Sequence, residues 1–197
     1  MSVVDICNSA LNAIGGNNII SLTEDSKPAR ILNQRYPSVR DSVFRVHPWN
    51  CLITRIDLAP DTAAPSFEYS NQFTLPADCL RIIQAEKLDT VFKVEGRKIL
   101  CDDDTFNLIY VRREEDTALY DSLLTDTLGA KLAHEIAYAI VQDRTLARMM
   151  HDFYNEKLRQ ARFVDATEGT PGSADQVTEA GGVEVTTFIA SRLCFYG

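Results

Sequence analysis

Apolar residues return at helical spacing toward both ends of the chain and at strand spacing in its middle. Val3, Val4, Cys7, Ala10, Leu11 and Ile14 recur every three or four residues, the interval that gathers side chains on one helix face. Gly15-Gly16-Asn17-Asn18 should stop that helix, since glycine and asparagine accept the left-handed conformation that follows a last turn. A second stripe, Ile31, Leu32, Tyr36, Val39, Val43 and Phe44, predicts a helix over 26–47. Ser26 suits its N-cap and Pro28 its tolerant first turn. Pro37 should kink or interrupt this helix, and His47-Pro48 should end it, because the residue before a proline is pushed out of helical space. Residues 59–66 read as loop.

The period then changes. Leu80–Ala85, Val91–Val94, Lys98–Cys101 and Leu108–Val111 are short runs rich in Val, Ile, Leu and Phe. Glu95-Gly96-Arg97 and Asp102-Asp103-Asp104 look like hairpin turns between them, so a small antiparallel sheet is expected at about 79–113. Helical spacing resumes over 118–163. One stripe holds Leu132, Ala133, Ile136, Ala137, Ile140 and Val141, and another Leu146, Met149, Met150, Phe153, Leu158 and Ala161. The polar stretch 142–145 either separates two helices or bends one. The reading is an α+β chain: mainly a helical bundle with a small antiparallel sheet and an extended C-terminal arm. Its domain spans 1–164, a Gly/Pro/Ser/Thr-rich linker follows over 165–182, and a strand-like arm occupies 183–197.

Composition narrows the function classes. With 45% hydrophobic and 24% charged residues the chain can bury a core. No apolar run has membrane-spanning length. The start, Met1-Ser2-Val3-Val4-Asp5, lacks a basic region followed by an apolar block, so a cytoplasmic site of synthesis and retention is expected. A formal charge of −8 argues against a surface that grips nucleic acid, although DNA can pass it without sticking. The five cysteines, at 7, 51, 79, 101 and 194, form no CxxC pair and read as buried free thiols.

Catalytic motifs are sparse. His134-Glu135 lacks the histidine one turn on that a zinc protease helix needs, since that position is Tyr138. A metal-dependent hydrolase would need a site built around His134, Glu135 and His151, with His47 the remaining histidine. The plainer reading is a solvated helix face. Asp102-Asp103-Asp104 lacks the alternating spacing, central glycine and closing glutamate of a calcium loop. There is no phosphate-cradling loop and no Gly-x-Ser-x-Gly elbow. Trp49 is either an interface anchor or the closure of a small core, the latter being the commoner use. The apolar segment beyond the acidic linker must fold back on its own domain or add to another chain.

An ordered set of short motifs carries a resemblance. These are Ile6-Cys7-Asn8 through Leu11 and Ile14-Gly15, then Ile20-Ser21-Leu22, Tyr36-Pro37-Ser38-Val39-Arg40-Asp41, His47-Pro48-Trp49-Asn50 and Leu75-Pro76-Ala77-Asp78-Cys79-Leu80. Tyr154, Leu158, Ala161-Arg162 and Asp165 complete it. Over residues 3–165 the chain resembles the podophage head-to-tail adaptors, also called tail tubular protein A or tail accessory factors; the segment after 165 does not align. The resemblance implies a helical bundle with a small sheet, and about 12 copies in a ring under the portal. Such a ring extends the DNA channel and offers a platform to the tail nozzle or next tail protein. It implies no enzyme activity and no cofactor or metal. The expected partners are the portal protein, the next tail protein and further copies of the chain, with DNA only as passing cargo and no membrane. The expected location is the virion neck, after assembly in the host cytoplasm. Tyr36, Arg40, Asp41, His47, Pro48, Trp49, Pro76 and Asp78 are then the motif or core residues. Val185, Phe188, Ile189, Arg192, Leu193, Phe195 and Tyr196 are the expected contacts to portal or neighbouring subunit. The remaining alternative is a cytoplasmic module that binds a host protein.

Overall fold

A computed structural model describes residues 1–85 and 90–168. Four helices surround one apolar core: α1 (Val3–Ala13), α2 (Lys27–Val46), α3 (Ser122–Val141) and α4 (Arg144–Glu168). Between α2 and α3 lie six strands, β1 (Ile53–Leu58), β2 (Asn71–Thr74), β3 (Cys79–Ala85), β4 (Lys93–Glu95), β5 (Lys98–Cys101) and β6 (Phe106–Arg112). They form two antiparallel three-stranded sheets in the orders β1-β6-β3 and β2-β5-β4. The class is α+β, as expected, but with two sheets where one was expected. No described helix is long and apolar enough to cross a membrane.

Local chemistry explains the helix ends. Ser2 and Asp5 bond each other's backbone N–H in a reciprocal cap on α1, satisfying two donors that the first turn leaves open. At its other end Gly15 takes a φ of +71°. Its N–H then reaches the Asn12 carbonyl while the Gly16 N–H reaches that of Leu11, the paired closure a left-handed glycine permits. Ser26 caps α2 through the Ala29 N–H. Of the kink or interruption expected at Pro37, α2 shows no interruption: Pro37 sits on the exposed side, where water can take up the carbonyl that loses its partner.

The helical expectation over 118–163 resolves into two helices. Asp121 caps α3 by accepting from the N–H groups of Leu123 and Leu124, and Gln142 ends it in the left-handed region at φ 61°. α4 then runs through Glu168 with Asp165 buried in it, so the linker expected from residue 165 cannot begin before 169. The rest of that linker and the whole arm, 183–197, lie outside the described residues.

The sheet β1-β6-β3 is the middle layer. Leu80 and Val111 face the helical core, whereas Phe106, Leu108 and Tyr110 pack with Phe73 and Ile99 of the second sheet. The two-residue turn Gly96-Arg97 joins β4 to β5, with Gly96 at φ +58°, the role expected of it. Asp102–Asp104 is not a hairpin turn. It carries the chain from β5 in one sheet to β6 in the other.

Candidate functional site

The densest polar cluster lies where α2 ends. Pro48 forces His47 into extended backbone, φ −142° and ψ 146°, which turns its imidazole toward α4. There His47 Nε2 lies 2.8 Å from Asp165 Oδ2, with both residues buried. The other carboxylate oxygen of Asp165 accepts the Asn50 N–H at 3.0 Å, and its carbonyl accepts the Asn50 side-chain amide at 2.5 Å. Trp49 is fully buried, donates its indole N–H to the Val43 carbonyl at 3.0 Å, and meets the His47 ring edge-on at 4.9 Å. A buried carboxylate is tolerated only when its oxygens are bonded, and Asp165 meets that condition through groups more than a hundred residues away in sequence.

A histidine–aspartate pair can also orient a general base. His47 borders a groove of about 510 Å³ whose other walls include Asn155, Leu158, Arg162 and Phe163. None of these four is a nucleophile. The cluster as it stands fastens the last turn of α4 to the α2–β1 junction.

Other motif residues fasten too. Asn8 clasps Ile19 through both its amide atoms, at 2.9 and 2.8 Å, holding the segment after α1. Arg40, 8% exposed, bonds Asp41 at 3.0 Å and reaches Glu115 at 3.6 Å, while Asp41 accepts from Arg113 Nε at 2.9 Å. This network ties α2 to the stretch after β6. Beside it the buried Tyr36 hydroxyl makes no hydrogen bond of ordinary geometry, although it neighbours the Tyr120 hydroxyl. Tyr120 instead donates to the Glu114 carbonyl at 2.8 Å. Burial pushes both phenols above their ordinary range. The Pro76 carbonyl accepts from the Cys79 N–H and from Arg97. Asp78 accepts from the Tyr110 hydroxyl at 3.3 Å while its carbonyl takes the Arg113 N–H.

The structure brings part of the metal-site candidate together. The His134 and His151 rings stand 5.0 Å apart, and His134 Nδ1 lies 3.2 Å from the Ala147 carbonyl, so that nitrogen carries the proton. Glu135 turns away to Lys131 at 3.0 Å. Burial pushes its carboxyl up, but the hydrogen bond and charge of Lys131, helped by His134 and Arg35, outweigh that and hold it below the usual carboxylate range. His47 is occupied with Asp165. No group of three or more potential metal ligands occurs among the described residues.

Cys7, Cys79 and Cys101 are buried free thiols and Cys51 is half-buried; burial pushes Cys7 up to about 12. The arm residues Val185, Phe188, Ile189, Arg192, Leu193, Phe195 and Tyr196 lie outside the described residues. Sequence reasoning missed Arg113 and Glu115 as partners of Arg40 and Asp41. It noted Asp165 without its role, though an acidic residue one turn after Ala161 on a buried stripe signals a buried partner. No family model and no curated protein matches this chain.

Proposed function

We propose that this chain is a structural, non-enzymatic subunit of a bacteriophage neck, a head-to-tail adaptor that forms a ring under the portal, extends the DNA channel and carries the tail. One observation carries the reading. The residues that bear the resemblance work as fasteners between distant elements: Asn8 on Ile19, Arg40-Asp41 on Arg113 and Glu115, His47 and Asn50 on Asp165. Motifs of a catalyst converge on a reacting group, whereas motifs of a ring part preserve the shape that lets identical copies meet. The net charge of −8 adds support, because a channel that DNA must slide through gains from not binding phosphates.

The test is co-sedimentation of the full chain with the portal ring of its own phage, followed by particle imaging. The expected result is a complex with one added ring of about 12 copies. A well-folded chain that leaves the portal bare would overturn the proposal. Deleting residues 169–197, a cut placed beyond α4, should weaken portal binding while the helical signal per residue persists.

The contact between His134 and His151 favours a second reading, a small metal-dependent hydrolase. Zinc measured at one equivalent per chain after purification without chelator would move the weight to it. A monomer that binds a host protein and ignores the portal is the outcome that would favour a regulatory module.

A further inference from the structure

Three arginines from separate parts of the chain line one groove of about 350 Å³: Arg45 in the last turn of α2, Arg81 on β3 and Arg97 in the β4–β5 turn. None of them joins an ion pair among the described residues. Each guanidinium is anchored by a backbone carbonyl: Arg45 to that of Leu80, Arg97 to that of Pro76, and Arg81 to that of Arg45 at 3.2 Å. One anchoring bond fixes the direction of a guanidinium and leaves most of its five N–H donors for an anion. The Cys79 thiol lines the same groove, pushed up by burial and by the Asp78 charge and drawn down by the charges of Arg97 and Arg45. Of the acidic residues beside the groove, Asp78 accepts from the Tyr110 hydroxyl and Glu95 pairs with Lys93.

The groove also has an apolar floor and open backbone edges. Leu75 and Leu80 line it, with Val94, 45% exposed, at its rim. Among the described residues β3 pairs only with β6 and β4 only with β5, so each presents an outer edge. Part apolar and part cationic, with strand edges beside it, this groove suits an extended acidic–apolar peptide. A nucleic acid backbone would need a broader basic surface than three residues in a chain of net charge −8.

The chain contains such a peptide. Residues 169–191 include Asp175, Glu179 and Glu184 and no basic residue, and Val183-Glu184-Val185-Thr186-Thr187-Phe188-Ile189 is dominated by β-branched and aromatic side chains. Reach is sufficient. Asp165 is held against His47, two residues from Arg45, and the stretch 169–182 can span roughly 45 Å when extended. We infer that the groove receives residues 183–189 of the same chain, laid between the edges of β3 and β4 with Glu184 held by Arg45, Arg81 and Arg97. The segment is thereby kept off other surfaces until a partner displaces it.

The experiment uses the full, isolated chain with a benzophenone amino acid in place of Phe188, irradiated and mapped by mass spectrometry. Adducts on residues 75–82 or 94–97, formed within one copy and insensitive to dilution, are expected. Arg81→Glu, an exposed substitution, should lower their yield about tenfold, and adding Glu184→Arg should restore much of it, as charge complementarity requires. Adducts on another copy, adducts on α4, or no adduct from a folded chain would each overturn the inference. Because no portal is present, failure here is distinct from failure of the adaptor proposal.

Discussion

α3 and α4 are joined end to end by two residues and pack along each other, yet they are opposite kinds of helix. α3 buries ten of its 20 residues, among them Leu124, Leu128, Leu132 and Ile136, and touches α1, α2 and α4. Ala130, Ala133 and Ala137 are also buried there, and small residues let three helices approach a fourth closely. α4 buries three residues of 25, Tyr154, Ala161 and Asp165, and its main partner is α3. Its outer side leaves Met149, Phe153 and Phe163 exposed at 58%, 40% and 71%. The contrast separates a helix whose residues are dictated by the interior from one whose residues are free to serve partners.

The sharpest way to break the comparison is truncation on each helix. Leu128→Ala, at a fully buried site, should cost about 2–5 kcal/mol by the lost transfer energy and the cavity left behind. Met149→Ala should stay within about 0.5 kcal/mol. Denaturant melts of both variants check this, and equal costs would erase the distinction. Asp165→Ala should come next, at about 3 kcal/mol, because it strands the Asn50 N–H and the His47 imidazole in a buried site. Amide exchange should then speed up in the last turns of α4 while α3 stays protected; uniform acceleration would mean that Asp165 holds the whole body rather than one helix end. The smallest effect has the opposite sign. A Cβ at Gly129 would meet Ser9 Oγ at 3.6 Å and the Ile6 carbonyl at 3.8 Å, ordinary contacts, so Gly129→Ala should stabilise the chain by about 0.5–1 kcal/mol. A lowered melting temperature would show that α1 and α3 are packed too tightly for a methyl group.

How far the sequence could be read follows from the same contrast. α1 and α2 were legible because apolar period agreed with the stop at Gly15 and the cap at Ser26, and the paired C-terminal helices because of their apolar period alone. Two strands were not legible. β1 has the burial of a sheet edge with Arg55, Ile56 and Asp57 exposed, and β2 is four residues long with one buried, Phe73. Neither alternates enough to stand out from loop. Pro37 stands inside α2 because on the exposed side water can bond the carbonyl that its missing N–H leaves open. Of the fastening contacts, the motif residues, Asp165 among them, were visible, but which residues they would join was not. Arg113, Glu115 and Asp165 join Arg40, Asp41 and His47 only across long separations that no local pattern encodes. The groove of Arg45, Arg81 and Arg97 was equally invisible, since three arginines spread over fifty residues converge only once α2, β3 and the Gly96 turn are assembled.

The order in which the elements pair has a consequence for how the chain is made. β1 finds β6 only after residues 59–105 have been laid down between them, and α1 rests on α3 with residues 14–121 intervening. Closing such long loops costs entropy before any contact repays it. During synthesis α1 and α2 must therefore wait with their apolar stripes uncovered until α3 has left the ribosome, and α3 in turn waits for α4. The sheets can pair once residue 112 is made, but the helical core is completed only with α3 and α4, so translation leaves the stripes of α1 and α2 open to misassociation with other copies.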